Sequence, residues 1–222
     1  MPAMEPYDRI VELAFQKSKL RDQLNDDEAN ETLRQFYKQI EEWDGSVDRL
    51  SFIGDYLVGT HMNKIIAKGM AQASPEGFVR IMTQERTILE KVAELLRLRK
   101  SGPVDERLTN RIKDVQLERA VKIHPSLEGP APDQYIHRFL CCLFMEIMTP
   151  VANKSDLKKI ARILDIGDAN VSFVNLQVRV RGKVEGALQR LQLHEEVNTK
   201  DVFRRAVIAY HILEAHKELQ AK

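Results

Sequence analysis

Several of the usual landmarks are missing from this chain. Cysteine is nearly absent: its 222 residues hold two, Cys141 and Cys142, adjacent in FLCCLFMEIM. Neighbouring side chains on a helix point in different directions, so the pair reads as buried thiols rather than a disulfide or a metal pair. Aromatic residues make up 6%, and no basic stripe is interleaved with them, which argues against a platform that stacks single-stranded bases. No run of about eighteen apolar residues occurs, and residues 1 to 6 lead into an amphipathic segment rather than a signal-peptide core, so no membrane partner is indicated and the expected location is cytoplasmic. The formal net charge of +1 gives no general attraction to nucleic acid, so any such role must rest on a local patch.

Catalytic signatures are missing too. There is no GxSxG, glycine-rich phosphate loop, HExxH or CxxC. The acidic pairs Asp26/Asp27, Glu41/Glu42 and Glu195/Glu196 read as solvated helix ends or loops. His61, His124, His137, His194, His211 and His216 lack metal-ligand spacing. No enzymatic activity, metal or cofactor is expected.

What is present is helical periodicity. With 43% apolar and 30% charged residues the chain has the composition of a globular protein with a sizeable core. Apolar positions recur at three and four residues over Tyr7 to Leu24 and Leu33 to Trp43, which predicts a helical hairpin, and Val47 to Met70 is compatible with helix. Ser74 and Pro75 start a further helix expected to run to Arg99, where KSGP stops it, and another fits Asp105 to Ile123. The basic run Arg97 to Lys100 reads as a solvated helix face. HPSLEGPAPD is a loop, Tyr135 to Met148 is apolar nearly all round, and Ser155 is expected to cap Leu157 to Leu164. These elements suggest a helical domain over residues 1–153 and a second module over 154–222.

One stretch departs from the pattern. VSFVNLQVRVRG, Val171 to Gly182, alternates Leu176, Val178 and Val180 with Asn175, Gln177, Arg179 and Arg181, the period of a half-buried strand. A helix at Lys183 to Glu195, a capped turn at NTKD and a long amphipathic helix from Val202 follow. From Val174 to about Leu219 this order resembles the ribbon-helix-helix family of DNA-binding proteins, NTKDVFRRAVIAY being the most specific part. The resemblance implies a mainly α protein whose single strand pairs antiparallel with that of a second copy, a homodimer binding double-stranded DNA as a transcriptional regulator or a plasmid or phage accessory factor. It implies base readout by Asn175, Gln177, Arg179 and Arg181, and phosphate contacts at Asn198, Thr199 and Lys200. The helical domain would then supply oligomerisation, a protein partner or a ligand response.

The same residues carry other readings. LKKIARILDIGDANVSFV, Leu157 to Val174, resembles a helix-turn-helix, with Asp165 where that motif usually has glycine. Residues 157–181 would then be two helices, with Asn170, Ser172, Asn175 and Arg179 facing the groove. A structural or interaction protein that only dimerises through its C-terminal module is a further alternative, and a single-stranded RNA packaging protein is another.

Overall fold

A computed structural model describes residues 5–20, 23–57, 60–66, 75–127, 132–193 and 202–221. The described residues form helices α1 (Asp8–Lys19), α2 (Gln23–Glu42), α3 (Thr60–Ile65), α4 (Pro75–Gln84), α5 (Arg86–Lys100), α6 (Leu108–Asp114), α7 (Leu117–Lys122), α8 (Asp133–Leu143), α9 (Lys154–Ile163), α10 (Phe173–Arg190), α11 (Val202–Val207) and α12 (Ile212–Gln220), with short 3-10 turns between them. The protein is thus mainly helical, and among the described residues there is no strand.

The chain divides into two compact units: Met1–Asn30 with Met145–Lys222, and Glu31–Phe144. In the first, α1 buries Val11, Ala14 and Phe15 and packs on α10, α12 and the 3-10 turn Ile208–His211. Lys17 holds that packing at the surface through Glu214 at 3.1 Å and Glu218 at 2.9 Å. The start of α1 is tied to α10 more firmly. Both oxygens of the fully buried Asp8 accept from Arg190, at 2.6 and 3.0 Å, and Oδ2 also accepts from the Glu5 backbone at 2.8 Å.

In the second unit α5 is the element most others meet, packing on α4, α6 and α7. Its basic end does more than face solvent: Arg97 donates to the Gly45 carbonyl, Arg99 to Leu143 and Lys100 to Trp43. Cations thus sit on the carbonyls just past α2 and at the end of α8, where the helix dipole favours them. Cys141 and Cys142 are buried, free thiols, and burial pushes Cys142 up to about 12.

Two expected helices are broken by unadvertised residues. Glu85, with extended backbone (ψ 111°), separates α4 from α5, and Gln116, in the left-handed region at φ 53°, separates α6 from α7.

The main correction falls on residues 171–181. The alternation there predicts a strand, but from Phe173 onward the chain is the first half of α10. The physical reason is a second period in the same residues. Phe173, Leu176, Val180, Val184 and Ala187 step by three and four, Gln177 and Leu188 adjoin that stripe, and all are buried, so the helical face continues well past the point where the alternation stops. A helix satisfies its own backbone groups, whereas a lone strand leaves them open. The valines cost only a few tenths of a kcal/mol each in helical propensity, about what the Ser172 cap, accepting from the Asn175 backbone at 3.3 Å, returns. The ribbon-helix-helix arrangement needs a strand and is not seen among the described residues.

Candidate nucleic-acid interface

The α9 and α10 pair of the first unit carries most of the residues that the sequence singles out. Asn153, not Ser155, caps α9, its side chain accepting from the backbones of Ser155 at 2.8 Å and Asp156 at 3.3 Å. Leu157, Ile160 and Ala161 face the core. The other side carries Lys154, Lys158, Lys159 and Arg162, the first two half-buried and the last two exposed.

The helix ends in a left-handed residue, Asp165 at φ 53°. Its backbone N–H bonds Arg162, and that of Ile166 reaches back to Ala161 at 2.9 Å. This is the C-terminal closure usually given to glycine. Asp165, which stands where a helix-turn-helix usually has glycine, thus takes a left-handed conformation that favours glycine.

Side chains fasten the loop that follows. Lys158 donates to Asn170 Oδ1 at 3.1 Å, the Asn170 backbone N–H to Asp168 Oδ1 at 2.9 Å, and Arg179 of α10 to the Asp168 carbonyl at 3.3 Å. Lys158, Asn170 and Arg179 thus meet around one turn. Asn170, Ser172 and Arg179 are exposed and Asn175 is half-buried; Ser172, Asn175 and Arg179 stand at three- and four-residue spacing along α10.

The strand reading placed four residues on a groove-facing surface, and the structure separates them. Asn175 and Arg179 open to solvent, whereas Gln177 and Arg181 are buried. Gln177 is fully enclosed and its amide is spent inside the fold. Its Oε1 accepts from the Thr149 backbone at 2.9 Å and the Thr149 hydroxyl at 2.7 Å, and its Nε2 donates to the Val151 carbonyl at 2.7 Å. Those three bonds clamp the turn that precedes α9.

Arg181 pairs with Glu185 at 3.0 Å, and the other Glu185 oxygen bonds Arg205 of α11. Glu146 adds a second carboxylate to its field. Burial nonetheless pushes Arg181 down to about 10, because removing a guanidinium from water disfavours its charged form. Asn198, Thr199 and Lys200, the expected phosphate contacts, lie outside the described residues.

Two histidines lie beside carboxylates. His137, buried in α8, lies 3.4 Å from Glu118, and His124 lies 3.6 Å from Glu85. Among the described residues no three His, Cys, Asp or Glu side chains converge in a way that could hold a metal ion, and no described helix is long and apolar enough to cross a membrane.

A residue that sequence reasoning passed over is Arg138 of α8. It is 1% exposed and among the described residues bonds neutral acceptors alone: Asn63 Oδ1 at 2.7 Å and the Ile66 carbonyl at 2.8 Å. Comparison with family models, with curated proteins and with solved structures finds no match to this chain.

Proposed function

We propose that the chain binds nucleic acid through the outer face of α9 and α10. The observation that carries this reading is the grouping of Lys154, Lys158, Lys159 and Arg162 along α9 with Asn170, Ser172, Asn175 and Arg179 at the start of α10. Lysine and arginine at such a surface neutralise phosphates, while asparagine and serine offer hydrogen bonds to bases or backbone. With a net charge of only +1, attraction must come from a local patch of this kind.

In its duplex form the reading is a helix-turn-helix: α9 lies over the phosphate backbone and α10 presents the stripe Ser172, Asn175, Arg179 to the major groove. A sequence-specific regulator acting as a homodimer would present that face twice. A ribbon-helix-helix dimer would need residues 171–181 to be strand, at the expense of the buried face of α10.

Single-stranded RNA is a second reading, favoured by one observation. Burial of Gln177 and Arg181 leaves a narrow stripe for bases beside a larger set of cations for phosphates. Such a balance suits contact along a backbone more than readout of a groove.

The test is fluorescence anisotropy with labelled duplex DNA and single-stranded RNA over a salt series, comparing wild type with Lys158→Ala/Arg162→Ala/Arg179→Ala. Wild type is expected to show affinity that falls steeply with salt, and the triple variant a log–log slope shallower by about 2 to 3, one per lost phosphate contact. Whichever polymer binds more tightly decides between the two forms. No binding by wild type to either at low salt would sink the proposal and return the chain to the class of interaction proteins.

A further inference from the structure

A buried arginine ordinarily has a carboxylate, because its guanidinium cannot shed its proton and taking an uncompensated charge out of water costs several kcal/mol. Arg138 has none among the described residues. Its Nη2 makes two bonds, to an amide oxygen and a backbone carbonyl, and its Nε is sealed from solvent with no hydrogen-bond partner. Tyr135, stacked on Phe78 at 5.3 Å, and the buried Cys142 share its helix. Burial raises the Cys142 thiol to about 12, so it brings no negative charge at neutral pH.

The cover over this charge is thin in one direction. Asn63, which accepts from Arg138, is itself exposed on α3, as is its neighbour Lys64. One amide side chain therefore links the enclosed cation to the surface. Its oxygen occupies the place where an anion's oxygen would make a charge-assisted bond about twice as strong as a neutral one.

We propose that Arg138 is the receptor for a phosphate-type oxyanion, which takes over the position of the Asn63 side-chain oxygen, with Lys64 as the outer cation. The group is either the phosphodiester of a nucleic acid or a free phosphate, since both offer the same tetrahedral oxygens. The site belongs to the second unit, so it does not rest on the α9 and α10 reading.

Asn63→Asp provides the test, because it installs a carboxylate at the position that now holds the amide oxygen 2.7 Å from Arg138. The full chain is melted in sodium phosphate and in sodium chloride of equal ionic strength, and a labelled single-stranded RNA decamer is titrated by anisotropy. Wild type is expected to melt higher in phosphate. Asn63→Asp is expected to melt higher than wild type in chloride and to lose the phosphate response. If the variant also binds the decamer about tenfold more weakly, the site takes nucleic-acid phosphates; if decamer affinity is unchanged, it takes free phosphate.

Two results would overturn the assignment. One is equal melting of wild type in the two salts together with equal decamer affinity for wild type and variant. The other is a phosphate response that survives Asn63→Asp unchanged. Lys158→Ala/Arg162→Ala/Arg179→Ala, measured in parallel, is expected to keep the phosphate response even if it loses nucleic acid, which separates failure of the two proposals.

Discussion

Among the described residues each unit encloses one arginine, and the two are treated differently. In the first unit Arg181, 6% exposed, has Glu185 at 3.0 Å and a second carboxylate, Glu146, in its field, while Arg205 shares Glu185. In the second unit Arg138, 1% exposed, has an amide and a carbonyl. The difference teaches that burial alone does not assign a role to a charge. Arg181 has carboxylates that offset its charge, Glu185 in direct contact and Glu146 in its field, which is how a structural buried ion is held. Arg138 has no carboxylate partner among the described residues.

The strongest way to break that comparison is to remove compensation from one side and charge from the other. Glu185→Gln leaves two arginines facing a neutral amide, and the expected loss in the first unit is about 3 to 5 kcal/mol, the usual cost of orphaning a buried charge. Arg138→Met removes a cation that has no partner charge among the described residues, and the expected change in the second unit is within about 1 kcal/mol, since lost hydrogen bonds are offset by relieved desolvation. Segment-resolved hydrogen exchange reads the units separately. Similar losses from both substitutions would mean that the neutral acceptors of Arg138 serve it as well as carboxylates serve Arg181.

A smaller effect sharpens the contrast between side chains within α10. Gln177→Leu leaves the Thr149 N–H, the Thr149 hydroxyl and the Val151 carbonyl without the bonds they make now, and the expected cost is about 2 to 3 kcal/mol by chemical denaturation. Arg179→Ala, two residues on and exposed, is expected to change stability by less than about 0.5 kcal/mol. Equal costs would contradict the division of α10 into an enclosed and an open face.

The helical class was legible in the sequence because most segments show only one apolar period. At 173–190 two periods coexist: Leu176, Val178 and Val180 alternate, while Phe173, Leu176, Val180, Val184 and Ala187 step by three and four. A local window cannot rank them. The longer run wins because it buries more apolar surface and closes its own hydrogen bonds. Breaks at Glu85 and Gln116, and the left-handed closure at Asp165, carry no glycine or proline, so their signal lay in tertiary context. For the candidate interface, the half-buried Asn175 and the exposed Arg179 are common to both sequence readings, and the helical period also separates them from Gln177 and Arg181. Arg138 had a signal in plain view, a charged residue inside a helix otherwise apolar nearly all round.

The mildest test compares the carboxylates that each unit holds below their ordinary range. In the first unit Asp8 is held down by its hydrogen bonds from Arg190. In the second, Glu118 is held at about 2, chiefly by its hydrogen bond with His137, with Lys122 assisting. A carboxylate whose folded value lies below its unfolded one contributes stability that is complete above the unfolded value, here about 4.5, and drains away as pH falls through about 2. Glu118 is partly exposed, so solvent screening limits the contribution to on the order of 1 to 2 kcal/mol. Glu118→Gln is therefore expected to be less stable than wild type at pH 6, with the gap closing as the solution is acidified toward pH 2, measured as urea midpoints across a pH series. Asp8→Asn should show the same closing gap, located by hydrogen exchange in the first unit instead of the second. A Glu118→Gln gap that stays constant across that acid range would mean the carboxylate and imidazole contribute no differential stabilisation, and that this corner of the second unit is held by packing alone.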